Sequence, residues 1–212
     1  MVGSANCKAL ILDPEQTVLM PKTKQFDEQE ALQKARDVFW EKGYNGTSMD
    51  ELVQATGLSR SSIYDTFGDK HGLYLRALEQ YSQEQRQMLC EKMPAQLSGR
   101  KKIERFFHYT QQNALQDKYR KGCFLLNSTT EMANQDDATN AMAGSNLDWM
   151  EELLYGWVKE GQASGDISKK FSARAIARHL NSSLNGLRVV AQTRPEKKNL
   201  DDIVRLALSV LD

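Results

Sequence analysis

The chain has 212 residues, of which 40% are hydrophobic and 26% charged, and its 28 Lys and Arg residues balance its 28 Asp and Glu residues. This apolar fraction excludes a wholly disordered chain, and the zero net charge argues against a protein that coats nucleic acid through bulk positive charge. The length suits one or two domains with a sizeable core.

The first 21 residues differ from the rest because they show no helical periodicity and end at Met20 and Pro21. We interpret residues 1–21 as a flexible N-terminal arm. Met20 is an alternative start, which would leave residues 1–19 outside the native protein. The longest apolar run in the arm, residues 9–12, is shorter than a secretory signal or a membrane-spanning helix requires. We therefore expect a soluble, cytoplasmic protein with no membrane partner.

Residues 22–75 predict three short helices and the start of a fourth. Each predicted helix begins at a residue of the type that caps helix N-termini, namely Asp27, Thr47 or Ser48, Ser59 and Asp69. Gly57 follows the second helix and suits the left-handed backbone of a tight turn. The second and third helices are therefore predicted to form a helix-turn-helix.

The third predicted helix has an unusual outward face of short hydrogen-bonding side chains with one long cation: Ser59, Arg60, Ser61, Ser62, Tyr64 and Thr66. Such a face fits a helix that enters the DNA major groove, about 12 Å wide, and contacts bases and phosphates. The alternative is a solvated surface helix without a partner. Charge does not decide between them, because residues 22–75 hold seven Lys and Arg against nine Asp and Glu, a net charge of −2.

After Pro94 the helical segments become longer, and they cover roughly residues 101–117, 123–134, 136–164, 172–193 and 199–211. No stretch shows the sustained alternation of a β-strand. The sequence therefore predicts an all-α fold, with an N-terminal three-helix helix-turn-helix domain over residues 22–75 and a larger helical domain over residues 76–212.

The sequence contains no H-E-x-x-H, G-x-S-x-G, P-loop or G-x-G-x-x-G motif. The histidines at 71, 108 and 179 are scattered, and the three cysteines do not have zinc-finger spacing. We therefore expect no enzymatic activity, no cofactor and no bound metal. A helical adaptor that does not bind DNA is a further alternative, which would leave the polar third helix unexplained.

A nearly continuous run in the N-terminal part carries a family pattern, in residues 35–39, 43–44, 47–52, 55–59, 63–64, 67 and 69–70. With this spacing, residues 27–75 resemble the DNA-binding domain of the TetR/AcrR family of bacterial transcriptional regulators. The resemblance implies a homodimeric regulator, most commonly a repressor, that binds a palindromic double-stranded DNA operator and is released by a small-molecule effector.

The resemblance also implies DNA contacts. It places phosphate contacts at Thr47 and Ser48, at Tyr64 and at Lys70, and it makes Arg60 the candidate for a bidentate contact with guanine. The full set of candidate DNA-binding residues is Thr47, Ser48, Arg60, Ser61, Ser62, Tyr64, Thr66 and Lys70.

Residues 101–212 resemble the C-terminal domains of the family more loosely, chiefly over residues 121–131 and 177–188. We place an unknown small-molecule effector among the helices of residues 101–165. The alternative is that aromatic and Met residues at helical spacing are ordinary core. The candidate ligand-binding residues are Phe106, Phe107, Tyr109, Thr110, Cys123, Phe124, Asn127, Met132, Trp149 and Trp157.

Apolar stripes along residues 147–157 and 173–187 suggest a four-helix dimer interface. The alternative is that both stripes belong to the core of one subunit. A dimer would hold two recognition helices about 34–36 Å apart, which fits successive major grooves of a palindrome. The candidate interface residues are Leu147, Met150, Leu154, Leu180, Leu184 and Leu187.

Cys123 has two alternative roles. A thiol at a helix N-terminus near Lys118, Arg120 and Lys121 favours the reactive thiolate, and cysteines in a similar segment of some relatives sense oxidants or electrophiles. This reading predicts a redox- or electrophile-sensing repressor that acts through Cys123. The other reading is a small buried side chain that only packs.

Overall fold

The computed structural model describes residues 26–212, so the predicted arm over residues 1–21 lies outside the described residues. Within residues 26–212 the chain forms nine α-helices and no β-strand, which confirms the all-α prediction. The helices are α1 (Glu28–Lys42), α2 (Met49–Thr56), α3 (Arg60–Phe67), α4 (Lys70–Lys92), α5 (Gly99–Gln116), α6 (Phe124–Met132), α7 (Asp137–Ser164), α8 (Ala173–Thr193) and α9 (Lys197–Leu208), followed by a 3₁₀ turn (Ser209–Leu211).

The first four helices begin at the predicted caps. The side chains of Asp27, Ser48, Ser59 and Asp69 each accept a hydrogen bond from a backbone N–H in the first turn of α1 to α4, respectively. Gly57 follows α2 with a φ of +73°, the left-handed conformation that the tight turn requires. Local hydrogen bonding therefore sets the geometry of the helix-turn-helix.

We call α1 to α3 with the first half of α4 the head, and the remaining helices the body. The core of the head includes the buried side chains of Phe39, Leu52 and Ile63. Phe124 of α6 belongs to the same core, and its ring packs edge-on against Tyr74, with the ring centroids 6.0 Å apart. The body therefore contributes directly to the core of the head.

A second core fills the body between α5, α7, α8 and α9. Most of the predicted dimer interface is corrected by the structure, because five of its six side chains are buried in this core within the single chain. They are Met150, Leu154, Leu180, Leu184 and Leu187. The apolar stripes mark the inward faces of α7 and α8, and of the six predicted interface residues only Leu147, 42% exposed, lies at the surface.

Candidate nucleic-acid interface and ligand cavity

The outward face of α3 is exposed to solvent. Ser61 is exposed, and Tyr64 is 42% exposed. The guanidinium of Arg60 is also exposed, and its Nη2 lies 2.6 Å from Oδ1 of Asp50 on α2. Such an exposed ion pair contributes at most about 1 kcal/mol, so it favours one orientation of the Arg60 side chain but leaves the side chain free to reorient.

Three serines form a hydrogen-bonded group at the N-terminus of α3. The hydroxyl of Ser59 lies 2.9 Å from that of Ser61 and 2.8 Å from that of Ser62. The backbone N–H of Ser62 also donates to the Ser59 hydroxyl. Ser62 and Thr66 are half-buried, so the exposed side chains on this face are Ser59, Arg60, Ser61 and Tyr64, with the exposed carboxylate of Asp65 beside them.

Thr47 differs from the prediction. Its side chain is buried, and its hydroxyl donates to the carbonyl oxygen of Gly43 at 2.6 Å. The hydroxyl therefore closes the turn between α1 and α2 and is not directed at a phosphate. Ser48 is exposed, but its hydroxyl is used to cap α2: it accepts from the backbone N–H of Glu51, and the Glu51 carboxylate accepts from the backbone N–H of Ser48, which is a reciprocal capping box.

The carboxylate of Glu51 lies in the first turn of α2, next to the predicted phosphate contact at Ser48. Hydrogen bonding from Lys42 is the main cause that lowers the pKa of Glu51 to about 2, and hydrogen bonds from Ser48 lower it further. Lys42 therefore compensates this negative charge. Lys70, at the start of α4, lies with its Nζ 4.4 Å from the centre of the Tyr44 ring, and burial lowers its pKa.

A cavity of about 300 Å³ opens where α1, α4, α5, α7 and α8 meet. Its wall contains five of the predicted ligand-binding residues: Phe106, Tyr109, Thr110, Cys123 and Trp149. The volume is at the lower end of the range of about 300–1,000 Å³ that is typical of ligand pockets. The cavity therefore suits a small ligand.

The other predicted ligand-binding residues lie elsewhere. Phe107 and Trp157 are buried in the core of the body, and Phe124 is buried in the core of the head. Met132 is buried, with its Sδ 3.5 Å from the amide nitrogen of Asn45. The prediction that these four side chains line the ligand site is therefore corrected: they are buried packing residues. Apolar residues at helical spacing identify a buried face of a helix, but they do not tell whether that face packs against other helices or lines a cavity.

Asn127 also lies outside the cavity wall, at a second pocket that shares Trp40, Lys121 and Gln192 with the cavity. Its amide nitrogen donates to the carbonyl oxygen of Lys121 at 2.8 Å. The same carbonyl accepts from Nε1 of Trp40 on α1 and from Nε2 of Gln192 on α8, each at 3.0 Å. We call this set of three hydrogen bonds the Lys121 junction; it joins α1, α6 and α8.

Several residues of the cavity wall were missed by the sequence reasoning, chief among them Trp40, Tyr81, Arg86 and Arg188. Tyr81 Oη lies 3.6 Å from Sγ of Cys123. Burial raises the pKa of Tyr81 well above its usual range, the Cys123 thiol adds to this, and nearby Arg188 opposes it. No local signal marks these residues, because long-range packing brings them together.

A second contact between head and body lies at Glu131, in the last turn of α6. Its carboxylate accepts hydrogen bonds from the backbone N–H groups of Tyr44 at 3.0 Å and Asn45 at 2.8 Å. A Cβ at Gly43 would lie 2.6 Å from this carboxylate, so glycine allows the close approach. The turn before α2 is thus held by the body.

Residues 26–212 contain no group of three or more His, Cys, Asp and Glu side chains placed to hold a metal ion. Among the helices that these residues form, none is both long and apolar enough to cross a membrane.

Two family models match the chain. Residues 31–77 match the model of bacterial regulatory proteins of the tetR family, and residues 99–207 match that of the tetracyclin repressor-like C-terminal domain. The chain belongs to the TetR family. The resemblance found in residues 27–75 is thereby confirmed, and it extends through the body.

Relatives of known name support this assignment over nearly the whole chain. The uncharacterized HTH-type transcriptional regulator YezE of Bacillus subtilis is 32% identical, over 91% of this chain and 100% of its own. The HTH-type transcriptional repressor ComR of Escherichia coli is 26% identical, over 90% of both chains.

Among solved structures, a cysteine mutant of the TetR family regulator CifR, complexed with 26-base-pair double-strand operator DNA, has a TM-score of 0.79 and 26% identity. The match covers 90% of this chain and 100% of that one. These relatives are transcriptional regulators, and this TetR-family chain shares their fold.

Proposed function

We propose that this TetR-family protein is a dimeric, cytoplasmic transcriptional repressor that binds a palindromic operator and is released by a small-molecule effector. The exposed Arg60, Ser61 and Tyr64 on α3 support DNA reading, since side chains of these types contact base edges and phosphates. The operator complex of the similar regulator CifR supports the same function.

The observation that carries effector release is the Lys121 junction beside the cavity. Trp40 belongs to α1 of the head and is also part of the cavity wall. Its indole N–H donates to the same carbonyl that holds α6 and α8. A ligand that displaces the Trp40 ring would therefore move the head relative to the body. Such a coupling between two sites typically amounts to about 1–3 kcal/mol.

The outward faces of α7 and α8 are the proposed dimer interface. Leu147 on α7 and Val189 on α8 are 42% and 47% exposed, respectively. A Cβ added at Gly144 or Gly186 would meet no atom within 4 Å, so this face leaves room for the close approach of a partner helix. Leu147 is the one member of the predicted interface set that this proposal retains.

Operator binding is tested with the DNA upstream of the protein's own gene. Gel-shift titrations should give a specific complex with two subunits per palindrome, and Arg60→Ala should weaken it about 10-fold or more. Arg105→Ala is the matched control, because Arg105 is exposed on α5 of the body. A complex that Arg60→Ala and Arg105→Ala affect equally would contradict DNA reading by α3.

A second candidate is an oxidant- or electrophile-sensing repressor that acts through Cys123. Two observations favour this candidate. The Cys123 side chain lines the cavity at the N-terminus of α6, and its thiol makes no capping hydrogen bond to that helix. A covalent adduct on Sγ would occupy the cavity next to Tyr81. It would thus act on the same junction as a bound effector.

Alkylation distinguishes the two candidates. If Cys123 is the sensor, N-ethylmaleimide should release the operator from the wild-type protein and not from Cys123→Ser. Alkylation of Cys123 that leaves operator affinity unchanged would contradict the sensor role and leave the effector role standing.

A further inference from the structure

Two arginines in the cavity wall have no acidic partner. Arg86 on α4 and Arg188 on α8 are both half-buried and both line the cavity. Neither forms an ion pair with any residue of the part that the structure describes, whereas exposed arginines such as Arg178 and Arg205 do. Charged side chains that are withdrawn from water are normally paired.

Arg86 is also short of hydrogen bonds. Its Nε is buried and has no hydrogen-bond partner among residues 26–212, and the same is true of Nε1 of Trp149. The guanidinium carbon lies 5.1 Å from the centre of the Trp149 ring, so the two groups share one wall of the cavity. Burial lowers the pKa of Arg86, with no acidic neighbour to oppose it.

Among residues 26–212, Asp117 is the only acidic residue of the cavity wall, and its carboxylate is already engaged. Asp117 accepts hydrogen bonds from the backbone N–H groups of Gly122 at 2.9 Å and Tyr119 at 3.2 Å. The remaining charged residues of the wall are cationic: Arg86, Arg120, Lys121 and Arg188. Lys121 lies near Asp37 on α1, and Arg120 is exposed at the rim. The inner charge of the cavity is therefore positive.

We infer that the effector is a small organic carboxylate, with its anionic group bound by Arg86 and Arg188 and its apolar part against Trp149 and Phe106. This inference rests on the proposed effector-responsive function and names the ligand class. The planar guanidinium matches a carboxylate through two parallel hydrogen bonds. The 300 Å³ volume and the aromatic side chains of the wall limit the remainder to a small apolar group.

Three probes with one carbon frame test the charge requirement: trans-cinnamate, cinnamamide and cinnamylamine, which are anionic, neutral and cationic at neutral pH. Binding is measured by calorimetry and by tryptophan fluorescence on the full-length wild-type protein. Cinnamate should bind about 10-fold or more tightly than the amide, because charge-assisted hydrogen bonds are stronger than neutral ones. The amine should bind most weakly.

Variants test which residues supply the charge. Arg86→Gln and Arg188→Gln should each weaken cinnamate binding about 10-fold and leave cinnamamide binding unchanged. Arg105→Gln, which removes an exposed arginine outside the cavity, should change neither affinity. The preference of the wild-type protein for cinnamate requires no variant, so it remains decisive if a substituted protein does not fold.

Equal affinity for cinnamate and cinnamamide, or no cinnamate binding at about 5 mM, overturns the inference. Operator titrations on the same samples separate it from the proposed function. If the amide releases the operator as well as cinnamate does, effector response stands and the anion requirement falls. If cinnamate binds through Arg86 but the protein ignores DNA, the carboxylate site stands and the regulatory function falls.

Discussion

Removing the Glu131 carboxylate should loosen the head from the body. Glu131→Ala eliminates the two hydrogen bonds that the N–H groups of Tyr44 and Asn45 donate across this contact. A hydrogen bond to a charged group contributes about 1.5–3 kcal/mol, but Asn45 is exposed, so water replaces part of its bond. We therefore expect a loss of about 2 kcal/mol, and about 1 kcal/mol for Glu131→Gln, which keeps one acceptor oxygen.

Amide hydrogen exchange measures this loss at the site itself. A loss of about 2 kcal/mol should speed exchange of the Tyr44 and Asn45 amides about 30-fold, if these amides exchange by local opening. Urea unfolding at one protein concentration gives the global value. Thr130→Ala is the control, since Thr130 is exposed on the same helix and its hydroxyl bonds only to the Asn127 carbonyl. Equal exchange in Glu131→Ala and Thr130→Ala would refute the reasoning.

Three further predictions concern the head. Ser48→Ala should lower the free energy of unfolding by about 1 kcal/mol because α2 loses its cap, which urea unfolding measures against Ser61→Ala. Gly57→Ala should cost about 1–2 kcal/mol from backbone strain at φ +73° alone, since its Cβ meets nothing within 4 Å; a neutral urea midpoint would contradict this. In an NMR titration Glu51 should have a pKa of about 2, and this pKa should rise in Lys42→Ala. Because folding lowers this pKa, the ionised Glu51 carboxylate stabilises the folded protein above the unfolded pKa of the group. That stabilisation is lost as the pH falls toward 2.

The helices were predictable because their boundaries are local. Ser48, Ser59 and Asp69 satisfy N–H groups within three residues of themselves, and Gly57 turns the chain in the next position. Such signals are complete within a short stretch of sequence. Thr47 shows their limit: its residue type suits a phosphate contact, but in the fold its hydroxyl donates to the Gly43 carbonyl.

The cavity was only partly predictable because its wall depends on long-range packing. Phe106 and Phe107 are neighbours with the same chemistry, yet only Phe106 reaches the cavity. Arg86 gives no signal in the sequence, since a lone arginine on an amphipathic helix usually faces water. Leu147 and Leu184 likewise share a pattern, and only the packed structure shows that one is exposed and the other buried.

Filling the cavity should change operator affinity, and one substitution tests this without a known effector. Ala114 on α5 is half-buried and lines the cavity, so Ala114→Phe places a ring where a ligand would bind. Gln112→Phe adds the same ring at an exposed position of the same helix. We expect Ala114→Phe to fold and dimerise but to bind the operator about 5- to 150-fold more weakly than Gln112→Phe. Equal operator affinities in two folded, dimeric variants would contradict it.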